Sequence, residues 1–567
     1  MLKFKRIIFI WLLCGHVYAQ ASVPDEVKRQ QEQIIGRGEL QQKQREEQFK
    51  EQSLPQSQET LVESEKEQVS EKKFFIQDIR LEGSTKLTPD EYNPIFQKYL
   101  NKNITISQIN EILRDLTNAY IQQGYLTSRV YLPAQDLKSG ILKICVLEGH
   151  VESLNVTRNG EKNTPAFAFP NREGDILNIR DLEQGIDQIN RLSSYDAKIS
   201  LDAGKQDGGS DVHIQTVQKF PVSVRMGVDN YGSKSTGVRQ IDVQTTYDNL
   251  FGLYDSWGVD IRRDADFLDK NHFTKSYGFQ SSIPFGYYTV RYFGNRFDYR
   301  STVKGRAQDF QFSGKTRTHK IETEALIHRD SLSKTLLTTS LTTKNTRNFV
   351  GDVELSVGSQ RLTLLSFSFG HLRRIMGGAF YGSLTQTTGI HGFKASKNEN
   401  MQRSGPRPQF NKLSTDISYT KPFSFFPLDL NISTRNCAQY SRQTLFSSER
   451  ISFGGAQTVR GFQQNGLAGD VGFYSRNELE VNLYAPKSGD FKTVAGRLTA
   501  FTGMDYGWIR KSKGDKSEHG VLKSMFLGVR LKEGKTETEV IISNSLKQPS
   551  FLRKEGVVFH VRFGVSL

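Results

Sequence analysis

The last stretch of the chain, VVFHVRFGVSL (557–567), constrains the fold more than any other segment. Apolar residues stand at every second position from Val557 to Leu567, and mostly polar or small residues such as His560 and Arg562 stand between them. Side chains of a strand alternate between its two faces, so this strand is apolar on one face only. That pattern suits the wall of a transmembrane barrel. The edge strand of a soluble β-sandwich stays open as an alternative for this segment alone, because bacterial barrels usually end in an aromatic residue where this chain has Leu567.

The same alternation recurs from about residue 220 onward. It is present in FPVSVRMGVDN (220–230), QIDVQTTY (240–247), WGVDIRR (257–263) and NELEVNL (477–483). Residues 217–567 divided among about 16 strands leave roughly 22 residues for each strand and its connection, which suits short turns on one side and long loops on the other. The polar segment 389–412 is one such long loop. We therefore predict a transmembrane antiparallel β-barrel of about 16 strands over residues 217–567.

The first residues predict a cleaved secretory signal over 1–19. Basic residues at 3–6 precede the apolar run Ile7–Cys14, and small-enough residues at 17–19 precede the cleavage point. A membrane anchor is disfavoured, since this apolar run is about half of the roughly 18 residues that a spanning helix needs. A lipoprotein signal is also disfavoured, because a leucine precedes the cysteine where a small residue is expected.

Residues 21–73 are rich in Gln, Glu, Lys and Arg, and residues 25–50 have a composition compatible with a helix, interrupted only by Gly36 and Gly38. Composition alone also favours a disordered tail. A helix that is polar nearly all round needs water on every side, and the lumen of a barrel is one such place. We therefore predict an N-terminal plug helix over 20–50 and a linker over 51–73 that reaches at most about 70 Å when extended.

Residues 74–216 predict two small α+β modules in tandem, over 74–149 and 150–216. The first combines a strand, FFIQDIRLEGSTKL, two helices, TPDEYNPIFQKYL and SQINEILRDLTNAYIQQGY, and further strands at SRVYLP and GILKICVLEGHVESL. Its second helix places apolar residues on one face between Ile109 and Tyr120, and Gly124 stands where that helix would end. The second module has strand VESLNVT, helix NIRDLEQGIDQINRL and strands DAKISL and DVHIQTVQ.

The sequence offers little support for an enzyme. It contains no HExxH, P-loop or GxSxG, and its histidines lack the spacing of metal ligands, so we expect no metal and no cofactor. The segment DAGKQDGGSD (202–211) is interpreted as a hairpin turn. The net charge of +15 is spread along the predicted barrel, which disfavours nucleic acid as a partner and suits lumen lining and contact with lipopolysaccharide. Behind the signal, Cys145 and Cys437 are too far apart to form a disulfide framework.

The glycine-rich segment GGAQTVRGFQQ (454–464) is the candidate functional loop. Apolar flanking residues gain little in an exposed loop, whereas a loop folded into an interior can hold Arg460 as a charge with one buried partner. In LTAFTGMDYG (498–507), alternate residues point to the same face. The candidate residues that gate the loop or lock it in place are Val459, Arg460, Gly461, Phe462, Phe501, Gly503 and Asp505.

Four segments together resemble a known family. DNYGSKSTGVRQ (229–240), NIRDLEQGIDQINRL (178–192), VRGF (459–462) and FTGMDYG (501–507) are similar to the outer-membrane transporters of two-partner secretion. These are the haemolysin-activator, filamentous-haemagglutinin and contact-dependent-inhibition transporters. The similarity covers the chain behind the signal nearly end to end.

The resemblance implies a plug helix, a linker, two polypeptide-transport-associated (POTRA) domains in the periplasm and a 16-stranded barrel in the outer membrane of a Gram-negative cell. Its implied function is to capture the unfolded N-terminal secretion domain of one large exoprotein and pass it outward without ATP, and the expected assembly is a monomer. In the family the VRGF loop folds into the barrel, where its arginine meets an aspartate of a wall strand. Arg460 and Asp505 are the matching pair, and the family spaces its phenylalanine slightly differently from Phe501.

Two other functions compete with export. A barrel-assembly insertase is disfavoured by the pair of modules, where a longer array is usual, and by the polar N-terminal helix. A passive porin or receptor needs neither tandem modules nor a VRGF loop. The sequence leaves open whether the exported partner is a haemolysin, an adhesin or a contact-dependent inhibition toxin, and whether it is activated as well as exported.

Overall fold

The structure is a computed structural model that describes residues 72–164, 167–304, 309–355, 358–400, 405–425, 428–485, 496–511, 518–532 and 534–567. The predicted signal, the plug helix and all but the last residues of the linker lie outside the described residues. The described chain forms two α+β modules followed by a closed β-barrel. No helix within these ranges is long and apolar enough to cross a membrane.

The first module places two helices beside two small sheets. Its elements are β1 Lys73–Ile76, β2 Asp78–Glu82, α1 Pro89–Gln97, β3 Lys102–Thr105, α2 Ile106–Gln122, β4 Arg129–Tyr131 and β5 Ile141–Leu147. β5 pairs in parallel with β2 and antiparallel with β4, while β1 pairs with β3. The single strand predicted from residue 74 is therefore wrong. The chain changes partner between β1 and β2, where the N–H groups of Gln77 and Asp78 both donate to Gly140 O.

Helix α2 forms where the sequence places it, and its ends explain its limits. Thr105 and Gln108 form a reciprocal capping box, in which each side chain accepts the backbone N–H of the other at 3.3 and 2.9 Å. At the other end Gly124 adopts a φ of +93°, a left-handed conformation that favours glycine. The buried face consists of Ile109, Ile112, Leu116, Tyr120 and Ile121.

The second module packs one helix on a four-stranded sheet. Its elements are β6 His150–Arg158, β7 Glu161–Asn163, α3 Ile179–Asn190, β8 Tyr195–Ala203 and β9 Gly209–Gln218. The sheet order is β7-β6-β9-β8, and β6 runs parallel to β9. Leu182 and Ile189 of α3 are fully buried against Val212 and Ile214 of β9. The turn between β8 and β9 falls inside 202–211, as predicted.

The remaining strands belong to the barrel and its inner loop. They are β10 Val222–Asp229, β11 Gln240–Asp248, β12 Ser256–Asp264, β13 Phe273–Phe285, β14 Tyr288–Lys304, β15 Asp309–Arg329, β16 Ser333–Val350, β17 Val353–Glu354, β18 Gln360–Ile375, β19 Gly378–Gly389, β20 Asn411–Phe425, β21 Leu428–Ser441, β22 Ile451–Phe453, β23 Leu467–Gly469, β24 Gly472–Tyr484, β25 Arg497–Ile509, β26 Gly520–Lys532, β27 Thr536–Lys547 and β28 Val557–Ser566. The two-residue β17 pairs only with β16, and β22 pairs only with β23. The other 16 strands form a closed antiparallel barrel, in which β10 pairs with β28. The predicted fold class is confirmed.

The two faces of the barrel wall differ as a transmembrane barrel requires. On β28 the side chains of Val557 and Phe559 are 57% and 55% exposed on the outer surface, whereas Val558 and His560 are buried on the inner face. Charged pairs lie inside the barrel, as between Arg262 and Asp229 at 2.6 Å. An apolar exterior around a polar interior excludes the soluble sandwich.

Helix α3 fixes which end of the barrel carries the modules. Asp187 accepts from Arg329 Nη1 and Lys334 Nζ, both at 2.6 Å, at the ends of β15 and β16 that flank their turn. Gln188 Nε2 donates to Gly286 O at 3.1 Å in the turn between β13 and β14. We call this end of the barrel the near rim and the opposite end, where the longer loops lie, the far rim.

Candidate functional site

The connection between β21 and β24, residues 442–471, folds from the far rim back into the barrel; we call it the inner loop. Its tip carries the VRGF segment, in which Val459, Arg460 and Phe462 are fully buried. A Cβ added to Gly461 would lie 2.5 Å from Ser524 Cβ on β26, so only glycine allows this close approach to the wall. The structure places the inner loop inside the barrel.

The glycine pair that precedes VRGF turns the chain at the tip. Gly454 and Gly455 have φ values of +125° and +121°, conformations that other residues rarely adopt. Gly454 N donates to Thr458 Oγ1 at 2.8 Å, and Gly455 N donates to Val459 O at 3.2 Å. These two bonds close a tight turn that presents Arg460 to the wall.

Arg460 is bound by two carboxylates of the wall, where the sequence predicted one; we call this group the Arg460 clamp. Its Nε and Nη2 atoms donate to the two oxygens of Asp505, each at 2.8 Å, and its backbone N donates to Asp505 Oδ2 at 3.0 Å. Its Nη1 donates to Glu478 Oε2 at 2.6 Å. A two-pronged guanidinium–carboxylate contact is strong and strictly oriented.

An aromatic stack lies beneath the Arg460 clamp. The guanidinium carbon of Arg460 lies 3.4 Å from the ring centre of Phe526, whose centre is 6.0 Å from that of Phe501. The guanidinium carbon of Arg530 in turn lies 4.1 Å from the ring centre of Phe501. The Phe526 ring also occupies the space beside Gly503, where an added Cβ would lie 2.8 Å from Phe526 Cζ. Phe501 and Gly503 therefore support the ring that contacts Arg460.

The backbone carbonyl of Arg460 is bound to two further strands. Ser543 Oγ of β27 donates to it at 2.7 Å, and His560 Nε2 of β28 lies 2.8 Å from it. Because the carbonyl can only accept, His560 carries a proton on Nε2 here. The tip of the inner loop is thus held by five consecutive wall strands, β24 to β28.

The charges of the Arg460 clamp continue along the wall. Arg530 donates to Glu478 at 3.0 Å and to Glu480 at 2.6 Å, and Lys532 donates to Glu480 at 2.9 Å. Neither Glu478 nor Arg530 is among the site residues that the sequence predicts. The signal for them lies in NELEVNL, where two glutamates share the polar face of a wall strand and so require cations from the neighbouring strands.

A second ion cluster holds the stem of the inner loop; we call it the Glu449 clamp. Lys344 Nζ of β16 and Lys412 Nζ of β20 donate to the two carboxylate oxygens of Glu449 at 2.8 and 2.7 Å. The Glu449 side chain is 4% exposed. No sequence pattern pointed to this cluster, which fixes the loop to a different sector of the wall.

A third set of contacts joins the inner loop to the loops of the far rim. The carboxylate of Glu555, between β27 and β28, accepts the backbone N–H groups of Gln463, Gln464 and Asn465 at 2.7–2.8 Å. Gln463 Nε2 donates to Asn230 O at 2.7 Å. The inner loop is therefore held at its stem, at its tip and at the far rim.

The described residues leave a cavity of about 950 Å³ inside the barrel. The inner loop lines one side of it through Glu449 and Arg460. Another part of its lining is rich in hydroxyl groups, including those of Thr338, Ser340, Ser366, Ser368, Thr385, Ser414 and Ser418. The ion-paired sector of β24–β28 thus holds the tip of the loop, whereas the hydroxyl groups lie on β16–β20, the hydroxyl sector, to which the Glu449 clamp attaches the stem.

Comparisons with known proteins agree with this architecture. A family model described as haemolysin secretion/activation protein ShlB/FhaC/HecB matches residues 208–531. A ShlB-type POTRA domain model matches 74–149, and a POTRA domain model matches 150–203.

Curated relatives and a solved structure extend the similarity over most of the chain. The outer membrane transporter CdiB of Dickeya dadantii is 31% identical over 87% of this chain and 86% of the relative. The hemolysin transporter protein ShlB of Serratia marcescens is 29% identical over 78% and 77%. The structure of CdiB from Escherichia coli has a TM-score of 0.85 at 27% identity and covers 97% of this chain and 100% of that one.

These similarities favour export over the insertase and porin alternatives. They also assign the near rim and its POTRA domains to the periplasm and the far rim to the cell surface. The chain belongs to the haemolysin secretion/activation family, the outer-membrane transporters of two-partner secretion, which pass a large partner exoprotein across that membrane.

Proposed function

We propose that the Arg460 clamp fixes the inner loop in the position in which the barrel exports its partner. The observation that carries this proposal is the full burial of Arg460 between Asp505 and Glu478, on a loop that lines the cavity of the barrel. Removing one partner of a buried ion pair leaves an uncompensated charge and costs about 3–5 kcal/mol. The charged hydrogen bonds of the clamp therefore hold the tip firmly, in addition to the apolar packing of Val459 and Phe462.

The aromatic stack supports a role in orientation as well as in attachment. A ring under the guanidinium and a two-pronged carboxylate together restrict both the plane and the direction of the Arg460 side chain. In this proposal Val459, Gly461 and Phe462 seat the tip against the wall. Phe501, Gly503 and Asp505 form the surface that receives it.

A covalent restraint tests whether the clamp acts by fixing position. In a background with Cys145→Ser and Cys437→Ser, the pair Gly461→Cys and Ser524→Cys can form a disulfide only after the tip shifts outward, because the two Cβ atoms would lie 2.5 Å apart against roughly 3.8 Å in a disulfide, and the new Cβ would also lie 2.9 Å from Asn544 O. The cross-link therefore holds the tip close to its docked position, displaced by that shift. We expect Arg460→Ala to lower export and the oxidised cysteine pair to restore it. Reductant should abolish the rescue.

The single-cysteine variants, oxidised in parallel, are the matched controls. Export is measured as secreted partner per folded transporter in the outer membrane. A cross-link that forms in full and restores nothing would show that position alone is not what Arg460 provides.

We also propose that the first POTRA domain captures the partner's unfolded secretion domain by adding a strand. Strand β4 lies at the edge of its sheet, and Tyr131, Leu132 and Leu147 beside it are 49%, 37% and 37% exposed. Backbone pairing at such an edge supplies affinity, and neighbouring apolar side chains supply specificity. The transporter with Tyr131→Ser and Leu132→Ser should retain less of that domain in co-purification, whereas Phe75→Ser, exposed on β1, should not.

Residues 20–50 complete the proposal as a plug of the resting lumen that leaves during transport. Deleting residues 21–50 should raise single-channel conductance in planar bilayers while the barrel stays folded. Unchanged conductance would return this segment to the status of a disordered tail. In this scheme the chain catalyses no covalent reaction. Folding of the exported partner outside the cell gives the transport its direction.

A further inference from the structure

The outer surface of the barrel carries basic side chains in register near the far rim. Successive strand pairings place Arg263 of β12 opposite Lys275 of β13, Lys275 opposite Asp298 of β14, Asp298 opposite Lys315 of β15, and Lys315 opposite Arg347 of β16. One row thus runs across five neighbouring strands. These residues alternate with inward ones such as Arg262, so they point outward.

A second row follows two residues closer to the near rim. There Arg296 of β14 lies opposite Arg317 of β15, and Asn345 of β16 lies opposite both Arg317 and Arg361 of β18. Arg300 stands on the other side of the first row, opposite Phe273. We call the basic side chains of these rows the outer basic patch: Arg263, Lys275, Arg296, Arg300, Lys315, Arg317, Arg347 and Arg361.

The outer basic patch borders the apolar band of the barrel. Four residues below Arg317 along β15 lies Ile321, which the pairings place opposite Tyr292 and Leu341. Leu341 in turn lies opposite Leu365 of β18. Four residues of an antiparallel strand span about 14 Å. The patch is therefore close to the level at which hydrocarbon gives way to lipid headgroups on the cell-surface side.

Like charges face each other within the outer basic patch. Arg263 opposes Lys275, Lys315 opposes Arg347, and Arg296 opposes Arg317, and such pairs destabilise a sheet unless an anion lies between them. Two carboxylates share this face, and each pairs with a residue of the patch: Asp298 with Arg296 at 2.9 Å and Glu354 with Arg347. The patch thus has a clear excess of positive charge.

The other side of the barrel has a different chemistry at the same rim. Near the far ends of β24 and β25 the outward residues Phe473 and Trp508 oppose each other, and the outward Tyr440 lies at the far end of the neighbouring β21. Aromatic residues at this level are usual for a barrel in contact with lipid. The basic residues of the patch are far apart in sequence, and strand register brings eight of them together on one side of the barrel.

We propose that the outer basic patch is a binding site for lipid A, the phosphorylated glycolipid anchor of lipopolysaccharide in the outer leaflet. Guanidinium groups bind phosphate oxygens in pairs, and ammonium groups add point charges. The rows present both at the headgroup level, next to an apolar surface that accepts acyl chains. The proposed lipid A site requires that the barrel lies in the outer membrane, and it is independent of the role proposed for the inner loop.

The full-length transporter in detergent, without divalent cations, tests the site by native mass spectrometry. The probes are bis-phosphorylated lipid A, the same lipid after phosphatase treatment, phosphatidylglycerol and inorganic phosphate. The triple variant Lys275→Gln, Lys315→Gln and Arg317→Gln should bind bis-phosphorylated lipid A about tenfold or more weakly than wild type, as expected for the loss of several charge-assisted bonds. Dephosphorylated lipid A should bind wild type as weakly as the intact lipid binds the variant.

A control variant removes the same charge elsewhere: Lys198→Gln in the second POTRA domain, Lys421→Gln near the near rim and Lys523→Gln on β26. It should bind lipid A like wild type. Equal weakening in both triple variants would overturn the proposal, as would phosphatidylglycerol or inorganic phosphate competing as well as lipid A. Heat-modifiable migration of both variants on gels verifies the barrel, and Lys315→Gln with Arg317→Gln alone replaces the triple variant if its fold fails.

Discussion

The two ion clusters that hold the inner loop have opposite polarity. At the tip, a loop cation is bound by wall carboxylates; at the stem, the loop anion Glu449 is bound by wall lysines. Arg460 also has a ring beneath it and a fork that Asp505 matches, whereas lysine ammonium groups are point charges that tolerate rotation. The Arg460 side chain is therefore held in one orientation, whereas the two ammonium groups restrict the direction of the Glu449 carboxylate less.

The largest effect should follow removal of the oriented charge. Arg460→Ala leaves Asp505 buried without its main partner, so we expect a loss of about 3–5 kcal/mol in the stability of the docked loop. Asp505→Ala should give the same phenotype, and the double variant should show coupling. The barrel should still insert, because its wall hydrogen bonds are intact, while export of the partner falls. Export at the wild-type level from Arg460→Ala would contradict the proposed role.

A conservative substitution sharpens the contrast between fork and point charge. Arg460→Lys keeps the charge but cannot bind both Asp505 oxygens and Glu478 at once, so it should rescue export poorly. The converse change at the stem, Lys412→Arg, should leave export nearly unchanged, because the Glu449 carboxylate there is balanced by any nearby cation. The Arg460→Lys and Lys412→Arg variants are compared by the protease accessibility of the inner loop in outer-membrane fractions. Equal tolerance at both clamps would remove the distinction.

An intermediate effect is expected at the stem. Glu449→Gln keeps the size of the side chain but removes the charge between Lys344 and Lys412, and we expect a destabilisation of about 1–3 kcal/mol. Export should fall less than with Arg460→Ala. Glu399→Gln, which removes an exposed carboxylate outside the clamp, is the matched control. A loss larger than that of Arg460→Ala would reverse the ranking of the two clamps.

The smallest effect should come from the far rim. Glu555→Gln still accepts some of the backbone N–H groups of residues 463–465, and Glu555 is more exposed than Glu449, Arg460 or Asp505. We expect a change of about 1 kcal/mol or less and normal export. Urea titration of the heat-modifiable form measures the stability. A severe export defect would place the principal attachment of the loop at the far rim.

The alternation of apolar and polar residues along each strand predicted the barrel wall. The partners of Arg460 and Glu449 depend on contacts between residues far apart in sequence. Alternation along β28 and its counterparts is a property of each strand, so it was readable without partners. Asp505 came from the family resemblance. Glu478 reaches Arg460 only because β24 and β25 pair in one particular register, and Lys344 lies 105 positions from Glu449. The same limit explains why the single strand predicted from residue 74 divides at Gln77, where a distant carbonyl intervenes.

The hydroxyl sector of the lumen bears on how a disordered polymer moves past it. Each serine or threonine both donates and accepts, so a backbone amide that leaves Ser366 meets an equivalent partner at Ser368 or Thr385. Because these partners are chemically alike, we expect the contacts of a passing backbone to differ little in strength and the free-energy profile along this part of the wall to be shallow. Such a lining suits polypeptides of many sequences.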